Sequence, residues 1–87
     1  MMINKEQLKE LDIQLILEVE SELQRAKERF PEKLNSLHEG YAIISEEFDE
    51  FWDEIKKKEK DRDFFKLKTE GIHVIAMMIR TLQDLVI

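Results

Sequence analysis

Glycine and proline are almost absent from this sequence, which contains two glycines and one proline in 87 residues. Because these residues supply most turns and helix ends, their scarcity predicts a few long helices joined by short connections. Cysteine is absent, so neither disulfides nor thiolate metal sites can stabilise so small a fold. We therefore expect a single all-α domain over residues 1–87, stabilised by a partner subunit or by metal bound through oxygen or imidazole.

The charge of the chain restricts its partners. A net charge of −6 and a pI near 4.9 disfavour nucleic acid, because its phosphates would be repelled. The sequence has no apolar run approaching the ~18 residues of a membrane span. Its first residues also lack the apolar core of an export signal. We expect a cytoplasmic protein with no nucleic-acid partner and no membrane partner.

Apolar residues recur every three or four positions in three segments, which predicts helices from about Asn4 to Phe30, Glu32 to Lys58 and Asp63 to Leu85. The second segment has the clearest stripe: Leu34, Leu37, Tyr41, Ile44, Phe48, Phe51 and Ile55. The third segment is apolar on most of its sides and needs neighbours on several faces. The sequence thus predicts three long helices with an antiparallel central hairpin, completed as a helical bundle by homo-oligomerisation into a dimer or tetramer.

Acidic residues lie at the edge of the predicted buried face of the second helix. On a helical wheel with Glu47 at zero, Glu50 falls at about −60° and the apolar stripe centres at about +80°. On the third helix, His73 lies about −60° from Glu70, on the same face. If the two helices pack antiparallel, these four side chains converge at the seam between them.

A convergent cluster of this kind has two interpretations. Carboxylates held close together repel one another, and a hard divalent cation relieves the repulsion. Alternatively, the glutamates form an ordinary acidic face neutralised by Lys57, Lys58 or Lys66. Spacing alone leaves both interpretations open.

Two motifs in the chain resemble the E-x-x-E…E-x-x-D signature of MazG-like nucleotide pyrophosphohydrolases. They are Glu46-Glu47-Phe48-Asp49-Glu50 and, after nineteen residues, Glu70-Gly71-Ile72-His73. The flanking stretches, residues 38–42 and 75–80, look like the short phage and bacterial members of that all-α superfamily. The resemblance covers about residues 34–85, so the first helix is matched only as a helix.

The resemblance implies a helical oligomer that uses Mg²⁺ to hydrolyse nucleoside triphosphates to monophosphate and pyrophosphate. Glu47, Glu50, Glu70 and His73 would be the metal ligands, and Glu46 or Glu50 would be the general base. His73 stands where the family has aspartate. Imidazole is a poor ligand for Mg²⁺ but a good one for Mn²⁺, Fe²⁺ or Zn²⁺, so Mn²⁺ is a possible alternative metal.

Arg80 is the only arginine of the predicted third helix. Its guanidinium is a candidate ligand for substrate phosphate, and an i,i+4 ion pair with Asp84 is the alternative.

Two other functions remain open for the chain as a whole. The first is a non-catalytic helical interaction module whose site has degenerated at His73. The second is a ferritin-like metal-binding protein, because Glu70-x-x-His73 also matches half of a di-iron motif.

Overall fold

The computed structural model describes the backbone of residues 5–87 and the side chains of residues 13–87. Three helices account for most of this part of the chain: α1 (Lys5–Arg29), α2 (Leu37–Ile55) and α3 (Phe64–Leu85). A short 3₁₀ turn, Glu59–Asp61, precedes α3. The predicted all-α class is confirmed. The predicted start of the first helix at Asn4 lies outside the described residues.

Helix α3 is central, because it packs against both α1 and α2. Within the described part of the chain, α1 and α2 do not pack against each other. The core is small: Val19 of α1 meets Ile72 and Ala76 of α3, with Leu23 and Ile79 partly buried around them. The candidate site lies where α1 and α2 both approach α3.

Helix α2 begins at Leu37, so the predicted start at Glu32 is wrong. The Ser36 hydroxyl accepts a hydrogen bond from the Glu39 amide at 3.1 Å and caps the helix. The Ser36-x-x-Glu39 pattern is a capping-box sequence. The residues before Ser36 are not helical, and several of their backbone groups have partners on α3 instead.

Arg80 provides most of those partners. Its side chain is buried, and its guanidinium donates to the carbonyl oxygens of Ala26 (3.2 Å), Glu32 (2.8 Å) and Phe30. Arg80 also pairs with Asp84 at 3.4 Å, as the i,i+4 alternative predicted. Since backbone carbonyls left free at a helix end need donors, Arg80 fixes the end of α1 and the connection that follows it.

The end of α2 also differs from the sequence prediction. The helix stops at Ile55 instead of continuing to Lys58. The Arg62 guanidinium folds back and donates twice to the Ile55 carbonyl, at 2.7 and 3.0 Å. This side chain satisfies a carbonyl that a longer helix would have used. Helix α3 then begins after Asp63, whose carboxylate accepts from the amides of Phe65 and Lys66.

The two glycines of the chain mark close approaches between α2 and α3. A Cβ at Gly40 would lie 2.6 Å from Thr81 Cγ2, and one at Gly71 would lie 3.3 Å from the Phe51 ring. A glycine within a helix costs roughly 1 kcal/mol relative to alanine. Here the missing side chain lets the two helices approach closely.

Several large apolar side chains on α2 and α3 are exposed in the single chain. On α2 these are Leu37, Tyr41, Phe48 and Trp52, and on α3 they are Ile75, Met78, Leu82 and the capping Val86. Helix α2 meets only α3, so the rest of its apolar surface has no neighbour among the described residues. No helix in residues 5–87 combines the length and apolar character needed to cross a membrane.

Candidate metal centre

Helical spacing placed one pair of side chains on a face of each of two helices, and the two pairs converge in the structure. Glu47 and Glu50 come from α2, and Glu70 and His73 come from α3. Each offers one oxygen or nitrogen, and these four atoms all lie within 4.8 Å of one another. We call these four residues the Glu₃His cluster. Each helix contributes a pair at positions i and i+3, which share one face of a helix.

Two oxygens in the cluster lack hydrogen-bond partners. Glu47 Oε2 and Glu70 Oε2 are buried, and neither has a hydrogen-bond partner among the described residues. The nearest basic atom in each case is His73 Nδ1, 3.5 Å from both oxygens. That separation exceeds the ordinary N–H···O range of about 2.7–3.2 Å. Because buried carboxylate oxygens normally have partners, these two are suited to an additional cation.

Two carboxyl groups of the cluster, those of Glu47 and Glu50, have raised pKa values. Burial raises the pKa of Glu47, and the neighbouring Glu50 carboxylate adds to the effect. The pKa of Glu50 is raised chiefly by hydrogen bonding to Glu70, and then by burial. In both cases the protein disfavours the ionised carboxylate. A divalent cation at this position would favour the ionised form.

Two of the three lysines that could neutralise an ordinary acidic face, Lys57 and Lys66, pair with a different glutamate. Lys57 Nζ lies 2.9 Å from Glu54 Oε1, and Lys66 Nζ lies 3.7 Å from Glu54 Oε2. Glu54 is 1% exposed and lies one turn beyond Glu50 on α2. Between residues 13 and 87, no lysine or arginine forms an ion pair with Glu47, Glu50 or Glu70. His73 is the basic group that faces the cluster.

Helix α1 adds an acidic residue that sequence reasoning did not assign to the site. Glu22 Oε1 lies 3.4 Å from His73 Nε2, on the side of the ring away from Glu47 and Glu70. Arg25 holds the Glu22 carboxylate with two hydrogen bonds of 2.7 and 2.8 Å and, more than any other group, lowers its pKa. The first helix carries no recognisable motif, so only the packing of α1 on α3 reveals this residue.

Two of the distances in the cluster match those between ligands of a first-row metal ion. Two ligand atoms each about 2.1 Å from an ion, at an angle of about 110°, are separated by about 3.5 Å. His73 Nδ1 has this separation from the oxygens of Glu47 and Glu70. The greatest separation in the cluster, 4.8 Å, exceeds the ~4.2 Å between opposite ligands of such an ion. A shift of about 0.6 Å in one ligand side chain would close that gap.

A cleft of about 640 Å³ opens beside the cluster. Glu46, Glu47 and His73 line one part of it, and Arg25, Arg29 and Lys33 line another. Arg80 also reaches the cleft, although its hydrogen bonds and its ion pair use four of its five N–H groups. The cleft thus brings two residues of the Glu₃His cluster, Glu47 and His73, together with basic groups that attract an anion.

The chain matches no protein-family model, no curated protein and no solved structure.

Proposed function

We propose that this protein hydrolyses nucleoside triphosphates to monophosphate and pyrophosphate with a divalent ion held by Glu47, Glu50, Glu70 and His73. The observation that carries the proposal is the convergence of these four ligand atoms within 4.8 Å, with two buried carboxylate oxygens lacking partners. The resemblance of the two motifs to MazG-like pyrophosphohydrolases supplies the reaction. Mg²⁺ is the ion this resemblance favours, and Mn²⁺ suits His73 better.

The residues around the cleft have distinct roles in the proposed reaction. A bound divalent ion supplies neutralisation of phosphate charge and activation of water. Glu46 lines the cleft outside the Glu₃His cluster, so its carboxylate is free to accept a proton from the attacking water; Glu50 is the second candidate base. Arg25, Arg29 and Lys33 attract the phosphates. Arg80 also lines the cleft, and its remaining N–H is a candidate donor to a phosphate oxygen.

We also propose that α2 and α3 form an antiparallel hairpin and that a second copy of the chain covers the exposed apolar surface. Contacts that support the hairpin run in opposite order along the two helices: Gly40 with Thr81, Phe51 with Gly71, and Glu54 with Lys66. Exposed Ile75, Met78 and Leu82 on α3 support the oligomer. Light scattering at micromolar concentration is expected to give a dimer or tetramer. A monomer would contradict the proposal.

A second candidate function is a non-catalytic interaction module that retains the fold. It is favoured by His73, which stands where the MazG-like pattern has aspartate. The test is a screen of the common nucleoside triphosphates for pyrophosphate release, with Mg²⁺ and with Mn²⁺, in the cytoplasmic pH range. We expect activity that Glu70→Gln abolishes and that the matched control Asp49→Asn, an exposed residue of α2, preserves. We also expect His73→Asp to raise the Mg²⁺-dependent rate. Inactivity of all variants would favour the interaction module.

A ferritin-like metal-binding protein is a further alternative, because Glu70-x-x-His73 matches half of a di-iron motif. Glu70 and His73 lie on one face of α3, with Oε2 and Nδ1 3.5 Å apart, so both can bind one ion. A ferritin-like protein would develop an oxo-bridged iron absorption after aerobic addition of Fe²⁺. The pyrophosphohydrolase proposal predicts no such absorption and pyrophosphate release instead.

A further inference from the structure

We infer that Glu22 is a positioning residue for His73, and that it makes the cluster prefer Mn²⁺ over Mg²⁺. The inference rests on the proposed metal site and extends it to a residue outside the matched motifs. Its basis is the placement of the imidazole ring between the Glu22 carboxylate on one side and the carboxylates of Glu47 and Glu70 on the other. Nε2 faces Glu22 at 3.4 Å, and Nδ1 faces Glu47 and Glu70 at 3.5 Å each.

The chemistry of imidazole makes this placement consequential. A neutral ring carries one N–H and one lone pair, and only the nitrogen with the lone pair can bind a metal. Histidines that bind metals usually donate their other N–H to a carboxylate or carbonyl, which fixes the tautomer and the ring orientation. Glu22 offers that acceptor on the Nε2 side. With the proton on Nε2, the lone pair of Nδ1 points into the Glu₃His cluster.

Glu22 is itself held in place. The Arg25 guanidinium donates to Glu22 through Nε at 2.8 Å and through Nη2 at 2.7 Å. Both residues lie on α1, whose Val19 and Leu23 pack against the core residues of α3. A closer approach of about 0.4 Å would bring Glu22 Oε1 to ordinary hydrogen-bond distance from Nε2. Arg25 therefore holds Glu22, and Glu22 in turn faces His73.

Metal preference follows from the donor that Glu22 orients. Magnesium demands oxygen ligands and binds imidazole poorly, whereas Mn²⁺ accepts both. Fixing the Nδ1 lone pair toward Glu47 and Glu70 improves the site for Mn²⁺. Mg²⁺ gains little, because its binding depends on the three carboxylates.

The test compares Mn²⁺ and Mg²⁺ affinities by calorimetry in the full chain, for wild type, Glu22→Ala and Glu22→Gln. Loss of a carboxylate that supports a histidine ligand typically lowers metal affinity about 10–100-fold. For Glu22→Ala we expect a loss of this size for Mn²⁺ and a much smaller loss for Mg²⁺. Glu22→Gln retains an oxygen that accepts from Nε2, so it should restore most of the preference. Glu20→Ala, at an exposed position of α1, controls for the loss of negative charge.

Two results would overturn the inference. One is an unchanged Mn²⁺/Mg²⁺ affinity ratio in Glu22→Ala. The other is an equal loss for both ions in the alanine and glutamine variants, which would show that Glu22 acts only through its charge. In the His73→Asp background, Glu22→Ala should no longer change the ratio.

A measurement on the wild-type protein loaded with diamagnetic Zn²⁺ keeps the inference falsifiable if a variant fails to fold. The ¹⁵N shifts of the His73 ring should then report the proton on Nε2 and the metal on Nδ1, and the reverse arrangement would contradict the inference. The proposed reaction is judged separately. A shifted affinity ratio without nucleotide hydrolysis would refute the reaction alone, and hydrolysis with an unchanged ratio would refute the inference alone.

Discussion

Replacing Glu70 with glutamine is expected to have opposite effects on the metal-free and metal-bound protein. Glutamine has nearly the same shape as glutamate, so the change removes charge with little effect on packing. The ligand atoms of Glu47, Glu50 and Glu70 lie within 4.8 Å of one another. Two unit charges at that distance repel by about 3.5 kcal/mol at an effective dielectric constant of about 20.

The exposure of Glu50 and the presence of His73 reduce that repulsion. We therefore expect Glu70→Gln to raise the free energy of unfolding by about 1–2 kcal/mol in the presence of a chelator. This corresponds to an increase in melting temperature of about 5–15 °C for a domain of this size.

Metal reverses the order of the two proteins. An ion at 100 times its Kd stabilises the folded state by about 2.7 kcal/mol, which raises the melting temperature by about 10–20 °C. Only the wild type should show this increase with Mn²⁺, because Glu70→Gln lacks one ligand. Circular dichroism melting of both proteins, with chelator and with Mn²⁺, measures all four values. Destabilisation of the metal-free protein by Glu70→Gln, or equal Mn²⁺ shifts in both proteins, would refute this reasoning.

Three further predictions concern the packing and ion pairs that support the site. Gly40→Ala should lower the free energy of unfolding by about 1–3 kcal/mol in urea titrations, because its Cβ would lie 2.6 Å from Thr81, whereas Gly71→Ala should be close to neutral. Arg80→Lys should lower it by about 2–4 kcal/mol, because one ammonium cannot reach all the carbonyls that the guanidinium binds; an unchanged urea midpoint would contradict this. Lys57 lowers the pKa of Glu54 through its hydrogen bond. The ion pair therefore stabilises the folded protein at pH values above the ordinary glutamate pKa. This stabilisation is lost as the pH falls through the lowered pKa of Glu54. Glu54→Gln should therefore be less stable than wild type near neutral pH and equally stable in acid, and a difference independent of pH would contradict the assignment.

The four cluster residues were predictable because each helix places them by its own period. Glu47 with Glu50, and Glu70 with His73, share a face in any α-helix, whatever the helix packs against. The remaining requirement was that the two faces meet. A short connection between α2 and α3 makes that meeting the expected outcome.

Glu22 was not predictable from the sequence in this way. Its contact with His73 depends on the axial position of α1 relative to α3. The apolar spacing of α1 is compatible with more than one such position. The start of α2 was mispredicted for a related reason. Pro31 suits the first turn of a helix, but buried Arg80 binds the carbonyls of Phe30 and Glu32, and this tertiary contact favours a non-helical connection. The capping-box pattern at Ser36 and Glu39 was the local signal for the later start.

The most direct test of the central claim is a titration of the full chain with Mn²⁺, followed by electron paramagnetic resonance of the free ion. The account predicts that the wild-type protein removes one equivalent of free-ion signal per chain and that a chelator restores it. Glu47→Gln should leave the ion free, whereas Asp49→Asn should bind it like wild type. A full free-ion signal in the presence of excess wild-type protein would contradict the existence of the metal site.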